Sequence, residues 1–396
     1  MTSKRTPSSK DQQVAIIGSG PAGLMAASVI SRAGYSVTIF EKKSGPGKKL
    51  LIAGSSGLNI TYDSPIKEFA ENYKGQADFV KLLEAFAPEN WLEFIHSLGI
   101  ETFKGTSRRY FVEGMKASAL LKAWTDSLKK NGVEILFQQE CSDYQVVRSG
   151  ETSEIQLTFA SGKSWTGSAV CFALGGGSYE PTETPLRWPE IFKRRGLNFI
   201  PFESSNVGFQ VDWPEKLIQE VEGQPLKNII LSSSKGTRSG DAVITRYGIE
   251  GTPVYFAGVL GTVHIDLKPD LSVKQVLEKL EAVKENMSSI RRAKKTLKLC
   301  PAALALLFHL APDKLDLPRF AALIKNFPLT LKAKQPLTEA ISSSGGLDFQ
   351  DLGPGVFAAG EMLNWDAPTG GFWIQGCVSQ GFVAGQEIVK YLGSIR

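Results

Sequence analysis

Three glycines near the amino terminus have the spacing that binds a nucleotide diphosphate. The sequence Gly-Ser-Gly-Pro-Ala-Gly fills positions 18–23, between an apolar run at 14–17 and an alanine-rich run at 24–32. Gly18 permits a tight turn, Gly20 lets backbone N–H groups approach a pyrophosphate, and Gly23 lets a helix pack on the strand. The amino terminus of that helix would add partial positive charge. The pattern therefore predicts a dinucleotide site.

An acidic residue follows at the distance that such a site requires. Glu41 ends a second β-rich run at 35–40, about 20 residues beyond the glycines. A carboxylate there accepts hydrogen bonds from the adenosine ribose and repels a 2′-phosphate. The predicted ligand is FAD or NAD and not NADP.

Two further segments favour FAD over NAD. Residues 45–61 combine glycines with Ser, Asn and Thr donors and with Lys48 and Lys49, and such a loop can wrap a second phosphate and a flavin edge. Glu361 follows a late strand and could accept from ribityl hydroxyls, while Gly370 and Gly371 precede a helix whose amino terminus would stabilise the reduced flavin. The alternative for residues 45–61 is a surface loop that holds no ligand.

Candidates for catalysis are fewer. Thr245 and Arg246, in the run at 241–251, could polarise a substrate carbonyl. A structural turn set by Gly248 and Gly251 is an equally good interpretation of that run.

Arg109, next to Arg108, could clamp a carboxylate. Adjacent arginines more often form a solvated surface, and His264, in a β-rich run, is more often structural than a proton donor.

Metal and disulfide chemistry have no support in the sequence. Four cysteines lie far apart without a C-x-x-C pattern, and only three histidines are present. No metal site is predicted, and reduced thiols fit the cytoplasm.

The bulk composition fits a cytoplasmic enzyme that acts on a small molecule. The chain has 396 residues and a net charge of +5, a mild excess that suits anionic ligands but does not favour nucleic acid as a partner. No apolar stretch reaches the roughly 20 residues of a membrane span, and the polar start lacks the apolar core of a secretory signal. The sequence does not indicate an oligomeric state.

The elements that would position these residues follow from periodicity. Residues 14–41 predict a strand, a turn, a helix and a second strand, and residues 77–130 predict helices. Strand-like runs at 133–137, 144–147, 154–159 and 168–173 predict a β-meander beside the main sheet, closed by a glycine turn at 174–178. Helical patterns follow at 273–287, 289–298 and 318–327, and a last helix at 376–392.

The predicted fold is α/β, with a Rossmann-like FAD-binding domain of the glutathione-reductase type. The phosphate glycines and the late flavin motifs must touch one cofactor, so the two chain ends are expected to fold together. We predict a discontinuous FAD domain at 12–195 and 336–396. The intervening 196–335 would form an inserted substrate domain, with a β-barrel-like part at 196–270 and about 328–335 and a helical part at 271–327.

Several of these segments resemble the BaiN-type family of bacterial FAD-dependent oxidoreductases. The resemblance covers nearly the whole chain and is carried by residues 18–23, 47–61, 111–124, 173–178, 241–251 and 354–381, with 359–371 the most specific. It implies an FAD domain interrupted by a β-barrel and helical insert, with Asn59 among the residues that touch FAD. Many relatives carry Arg-Cys-Asn where this chain has Gly57, Leu58 and Asn59, which implies another substrate.

Together, motifs and resemblance predict the site residues. The catalytic candidates are Thr245, Arg246 and Arg109. The expected cofactor contacts are Gly18, Gly20, Pro21, Ala22, Gly23, Glu41, Lys42, Lys48, Lys49, Leu50, Gly57, Asn59, Gly175, Gly360, Glu361, Gly370, Gly371 and Phe372.

The leading functional hypothesis is an FAD-dependent reductase or dehydrogenase that acts on a C=C or C–C bond near a carbonyl. Only one dinucleotide fingerprint is visible, so NAD(P)H, if used, would visit the flavin transiently. One alternative is a flavoprotein that acts on or binds RNA, with the lysines at 293–298 as a contact surface or merely the polar side of a helix. Another is an FAD-bound sensor without turnover.

Overall fold

The computed structural model describes residues 12–54, 57–149, 152–180, 186–283, 286–312 and 314–395. These residues divide into two compact units. Unit one comprises the described parts of Met1–Glu203 and Ser343–Arg396, and unit two those of Ser204–Ser342.

The first stretch of unit one alternates strands and helices. In chain order it contains β1 (Gln13–Ile17), α1 (Pro21–Arg32), β2 (Ser36–Glu41), α2 (Lys48–Ala53), β3 (Asn59–Tyr62), α3 (Ile66–Ala70), β4 (Lys74–Gly75), α4 (Phe79–Ala85), α5 (Pro88–Ser97), β5 (Thr102–Lys104), β6 (Arg109–Val112), α6 (Ala117–Lys130), β7 (Glu134–Phe137), β8 (Cys141–Ser149), β9 (Thr152–Phe159), β10 (Ser164–Gly167), β11 (Ala169–Phe172), α7 (Trp188–Lys193) and β12 (Phe199–Ser205).

The chain then builds unit two and returns to unit one. Unit two contains β13 (Phe209–Gln210), α8 (Glu215–Val221), β14 (Pro225–Ser233), β15 (Gly236–Thr245), β16 (Gly248–Glu250), α9 (Thr252–Ala257), β17 (Gly261–Asp266), α10 (Val273–Glu281), α11 (Ser289–Thr296), α12 (Pro301–Leu310), α13 (Leu317–Lys325) and β18 (Phe327–Leu331). The return adds β19 (Ser342–Leu347), β20 (Val356–Ala358), β21 (Trp365–Asp366) and α14 (Phe372–Ser394).

A parallel sheet forms the centre of unit one. Its strand order is β20-β11-β1-β2-β7, and every neighbouring pair runs parallel. Buried apolar residues fill β1 and β11, as expected for strands covered on both faces. The sheet confirms the predicted α/β class with a Rossmann-type core.

Two helices from opposite ends of the chain pack closely beside this sheet. A Cβ added at Gly381 of α14 would lie 2.3 Å from the backbone oxygen of Ala22 in α1. A Cβ at Gly385 would lie 2.8 Å from the Val29 side chain. The absence of side chains at these two positions therefore lets α14 approach α1.

The structure corrects two element predictions. Residues 77–130 are not wholly helical, since β5 and β6 interrupt them, and β6 pairs with both β5 and β3. The antiparallel meander consists of β8, β9 and β10, whereas the predicted runs at 133–137 and 168–173 supply β7 and β11 to the parallel sheet. Strand β10 is short, and its alternation was too brief to be recognised.

Unit two is built on an antiparallel sheet. Its six strands have the order β13-β16-β15-β14-β17-β18. Backbone hydrogen bonds from Gln210 to Ala333 (2.8 Å) and from Lys332 to Gln210 (2.9 Å) join β13 to the residues after β18. These bonds close the sheet into a barrel, and α8 and α10–α13 contribute to the same hydrophobic core. In the part of the chain that the structure describes, no helix has the length and apolarity needed to cross a bilayer.

Candidate cofactor-binding site

A pocket in unit one opens at the carboxyl ends of β1, β2, β11 and β20. Its lining comprises residues 17–22, 40–43, 47–50, 139–141, 173–175, 180, 187–188, 359–361 and 377. Ligands of open α/β sheets bind at this edge.

The three motif glycines have different geometric roles. Gly18 has a φ of +107°, and a Cβ there would lie 2.2 Å from the backbone oxygen of Ala173. A Cβ at Gly23 would lie 2.1 Å from the oxygen of Gly18. At Gly20, which lines the pocket, an added Cβ would meet no heavy atom within 4 Å. Gly18 and Gly23 are thus required by the fold, whereas Gly20 leaves space for a ligand.

Helix α1 presents its amino terminus to this space. It begins at Pro21, directly after Gly20, and has no acidic residue in its first turn and no side-chain cap. Its first N–H groups and the helix dipole therefore suit an anion such as a pyrophosphate.

Glu41 is held at the end of β2 by three donors. Its Oε2 accepts from the backbone N–H (3.0 Å) and from the hydroxyl of Ser19, and its Oε1 accepts from the Lys43 N–H (2.8 Å). Each carboxylate oxygen can accept more than one hydrogen bond. The carboxylate is oriented and can still accept from a ribose hydroxyl.

Glu361 joins three distant segments of unit one. It accepts from the Gly176 N–H (3.2 Å) and from the N–H and hydroxyl of Ser343 (3.0 and 3.2 Å). Lys49 Nζ lies 3.7 Å from this carboxylate and donates to the Gly176 oxygen at 2.7 Å. Glu361 thus positions the pocket wall, and its contact with a ribityl chain stays a prediction.

The basic residues of the pocket differ in their pairing. Lys42 and Lys43 each lie 3.2 Å from Glu180. Burial tends to raise the pKa of Glu180, but the two lysines outweigh burial and lower it. Within the described ranges Lys48 is exposed and forms no ion pair, so its charge is available to a phosphate.

Trp188 is a pocket residue that sequence reasoning missed. It is 5% exposed, packs edge-on against Phe192, Phe199 and Phe202, and its Nε1 has no hydrogen-bond partner within the described structure. Nothing in the local sequence around Trp188 indicates a ligand, because the motif residues that share the pocket with it, such as Gly20 and Glu361, lie more than 100 residues away. Arg187, Glu180 and Cys377 also line the pocket and were not predicted.

Other predicted contacts form a second cluster around β3 and β6, outside the pocket lining. A Cβ at Gly371 would lie 2.7 Å from the Thr61 backbone, and one at Gly370 would lie 2.9 Å from Arg109 Nε. The ring of Phe372 stacks on Tyr62 at 5.3 Å. The cluster brings predicted residues from both chain ends together.

The predicted loop at 45–61 is partly regular structure. It contains α2 and the start of β3, and its residues 55 and 56 lie outside the described ranges. At Gly57, φ is +124°, and a Cβ would lie 2.4 Å from Met115 Cε. The side-chain oxygen Oδ1 of Asn59 is buried and has no hydrogen-bond partner in the described structure.

Thr245 and Arg246 lie in unit two, at the end of β15. The Thr245 hydroxyl accepts from the Gly248 N–H at 3.2 Å, and Arg246 pairs with Glu222 at 3.1 Å. A Cβ at Gly248 would lie 1.9 Å from the oxygen of Phe209. These contacts stabilise a turn, and a catalytic role for Thr245, Arg246 or Arg109 stays a prediction.

The pocket fits FAD on its own chemistry. Gly20 leaves space beside a helix amino terminus, Glu41 is oriented as an acceptor, and Trp188 Nε1 is a buried donor that lacks an acceptor. Asn59 Oδ1 is an unsatisfied acceptor in the neighbouring cluster. Unpartnered buried polar groups are rare and often mark a ligand that completes them. Among the described residues, no group of three or more His, Cys, Asp and Glu could hold a metal ion.

A protein-family model matches nearly the whole chain. The model described as HI0933-like protein Rossmann domain matches residues 12–387. Two curated relatives, from Haemophilus influenzae (strain Rd) and Escherichia coli (strain K12), are both named ribosomal RNA dihydrouridine synthase. The first is 24% identical over 95% of this chain and 98% of the relative, and the second 22% over 94% and 97%.

Two solved structures are similar in fold to this chain. A flavocytochrome c3 fumarate reductase has a TM-score of 0.51 and 16% identity, covering 96% of this chain and 78% of that one. A 3-ketosteroid-Δ4-(5α)-dehydrogenase from Rhodococcus jostii RHA1 has a TM-score of 0.52 and 15% identity, covering 98% of both chains. At these identities the likeness shows a shared fold.

Proposed function

The chain belongs to the HI0933-like family of Rossmann-domain proteins, and from this we propose that it is an FAD-dependent reductase that saturates a C=C bond next to a carbonyl, in the uracil base of RNA. Its place in the BaiN-type branch of such proteins stays a prediction.

The observation that carries the cofactor assignment is the open space at Gly20, between the amino terminus of α1 and the carboxylate of Glu41. The N–H groups of α1 would hold the pyrophosphate, and Glu41 the adenosine ribose. Lys48, which forms no ion pair with the described residues, would add a positive charge beside the phosphates. FAD, when bound, supplies hydride-transfer chemistry.

The substrate class rests on the names of the two curated relatives. Dihydrouridine differs from uridine only in the saturation of C5=C6, which is conjugated with the C4 carbonyl. Its formation adds one hydride and one proton across that bond. A C=C bond near a carbonyl is also the bond type of the leading sequence hypothesis, so the names of the relatives favour RNA over the small-molecule substrate expected from the sequence.

The proposal for the electron donor rests on the number of dinucleotide-binding motifs in the sequence. Only one dinucleotide motif is present in the sequence, and Glu41 there would repel a 2′-phosphate. NADH or NADPH would therefore approach the flavin transiently, without a Rossmann domain of its own.

The test begins with the purified protein, which should be yellow and should release FAD on denaturation. Its flavin is then reduced without oxygen and mixed separately with a ribosomal RNA transcript, an oligonucleotide that lacks uridine, and a small cyclic enone. We expect reoxidation only by the transcript, with a gain of two hydrogens per modified uridine in the digested RNA. Reoxidation by the enone alone would overturn the RNA assignment, and a protein that binds no FAD would overturn the whole proposal.

A further inference from the structure

Four basic residues follow one side of α11 and the turn after it. They are Arg291, Lys294, Lys295 and Lys298, and all four are exposed. Spacings of three and four residues place Arg291, Lys294 and Lys295 on the same face of α11, and Lys298 lies in the turn that follows. The opposite face carries Ala293 and Leu297, which are buried in the core of unit two. We call these four residues the basic face.

The basic face lacks acidic partners within the described part of unit two. The ion pairs there involve other cations, namely Arg246, Lys268, Lys274, His309, Arg319, Lys325 and Lys332. Arg291 and Lys295 are like charges four residues apart in α11, an arrangement that destabilises a helix. The helix dipole favours Lys294 and Lys295 in the last turn but disfavours Arg291 in the first. Fold stability therefore does not explain the whole set.

Arg292 holds this helix in place. Its guanidinium is buried and donates to the backbone oxygens of Leu280 (3.0 Å), Val283 (2.8 Å) and Met287 (3.0 Å). These bonds fix α11 against the last turn of α10 and the residues that follow it. The four exposed charges are thus presented on a positioned element, which reduces the entropy lost on binding.

The charge of the whole chain is concentrated in the same unit. Residues 204–342 contain 19 lysines and arginines against 14 aspartates and glutamates, so the net charge of +5 lies in unit two and unit one is balanced. Such asymmetry attracts a polyanion to one part of a protein.

From these observations we propose that the basic face binds the phosphate backbone of RNA. The proposal rests on the RNA substrate proposed above and adds the surface that would hold it. Contacts to phosphates position a nucleic acid and carry no sequence information. The basic face would therefore supply affinity, and the choice of uridine would depend on the active site.

The test replaces the basic face and a matched surface by glutamine. The face variant is R291Q/K294Q/K295Q/K298Q, and the control variant is K122Q/K129Q/K130Q/K163Q, which removes four exposed charges from unit one. Binding of a fluorescein-labelled, uridine-containing single-stranded oligoribonucleotide is measured from 0.05 to 0.3 M KCl. Bound FAD and circular dichroism verify that each variant is folded.

We expect only the face variant to lose affinity for the oligoribonucleotide. Four phosphate contacts on a single strand contribute a slope of about −3 in log K against log salt, so affinity at 0.1 M salt should fall by up to several hundred-fold. The control variant should keep the slope of the wild type.

Two negative outcomes are distinguishable. If the wild type reduces uridines in RNA and the face variant binds the oligonucleotide with an unchanged slope, the basic face is not the contact surface, and the proposed function survives. If the wild type neither binds nor reduces RNA, the RNA substrate itself is wrong, and the surface assignment falls with it.

Discussion

At the scale of single residues, Glu41 has two tasks that one carboxylate can combine. It fixes the glycine turn through Ser19 and the following chain through Lys43, and it faces the pocket as an acceptor. An amide cannot accept as strongly and brings two unwanted donors.

We therefore expect Glu41→Gln to weaken FAD binding by about 1.5–3 kcal/mol, the range of a charge-assisted hydrogen bond. The affinity is measured by fluorescence titration of the apoprotein with FAD, together with the melting temperature of the apoprotein. The control is Glu89→Gln on the exposed side of α5. Equal affinities of wild type and Glu41→Gln would remove Glu41 from the binding site.

Trp188 allows a test in which stability and binding change independently. Phenylalanine keeps the aromatic packing but removes the buried N–H that lacks a partner, so the apoprotein should be at least as stable as the wild type. If Nε1 donates to FAD, Trp188→Phe should nevertheless weaken FAD binding by about 1 kcal/mol.

The matched variant for this test is Trp124→Phe. The Nε1 of Trp124 donates to the Ser28 hydroxyl at 2.9 Å in the core, so this change should lower the melting temperature and leave FAD affinity unchanged. A Trp188→Phe protein that is less stable yet binds FAD normally would show that Trp188 is only a packing residue.

At the scale of elements, the glycines in the turn from β1 to α1 have two different roles. Some are required by close backbone packing, whereas Gly20 lies beside the space for the ligand. Gly20 has an ordinary φ of −75° and open space around its Cα, whereas Gly23 abuts the backbone of Gly18.

Gly20→Ala and Gly23→Ala should therefore have different effects. The first should leave the apoprotein's melting temperature nearly unchanged and weaken FAD binding, because the methyl group enters the phosphate space. The second should destabilise the apoprotein by about 1–3 kcal/mol, the usual cost of overpacking. Thermal unfolding with and without FAD measures both, and a Gly20→Ala protein with normal affinity would place the pyrophosphate elsewhere.

Some elements were predictable from sequence because their signals are local. Strand β1, helix α1 and strand β2 are consecutive in the sequence, and their hydrophobic periodicity and the positions of their glycines predict the same strand–helix–strand unit. Helix α12 was not predicted, because it is apolar on most sides and shows no amphipathic stripe. Strands β5 and β6 have three and four residues, too few for alternation to be visible.

The residues of the site, like the elements, were predictable only where the signal is local in the sequence. Gly18, Gly20, Glu41 and Glu361 lie at strand ends, where spacing along the chain is enough to predict their position at the pocket. Trp188 reaches the pocket only through tertiary packing, which no local pattern records.

At the scale of the whole molecule, unit one is made of two chain segments. Strand β20, Glu361 and α14 all come from the second segment. Within unit two, the Ser342 hydroxyl donates to the Ser205 oxygen at 3.4 Å, so the two ends of that unit lie side by side.

A fragment ending at residue 203 should therefore fold poorly and bind no FAD, because α1 would lose α14 and the sheet would lose an edge strand. A protein in which a short Gly-Ser linker joins residue 203 to residue 343 should retain FAD. Absorbance of the flavin in the purified proteins measures both outcomes. Tight FAD binding by the amino-terminal fragment would show that the carboxyl-terminal segment is dispensable.

The two-segment structure of unit one also has a consequence for biosynthesis. Strand β1 leaves the ribosome early, but its sheet and the packing of α1 are completed only after α14 has been made. At 5–20 residues per second, translation of the intervening chain takes roughly 20 to 75 s. Unit two, which is one continuous segment, can fold during that interval. The apolar face of α1 cannot pack against α14 until α14 has been synthesised, so until then it needs another protein, such as a chaperone, to shield it from water. A nascent chain stalled before residue 372 should consequently depend on chaperones and carry no flavin.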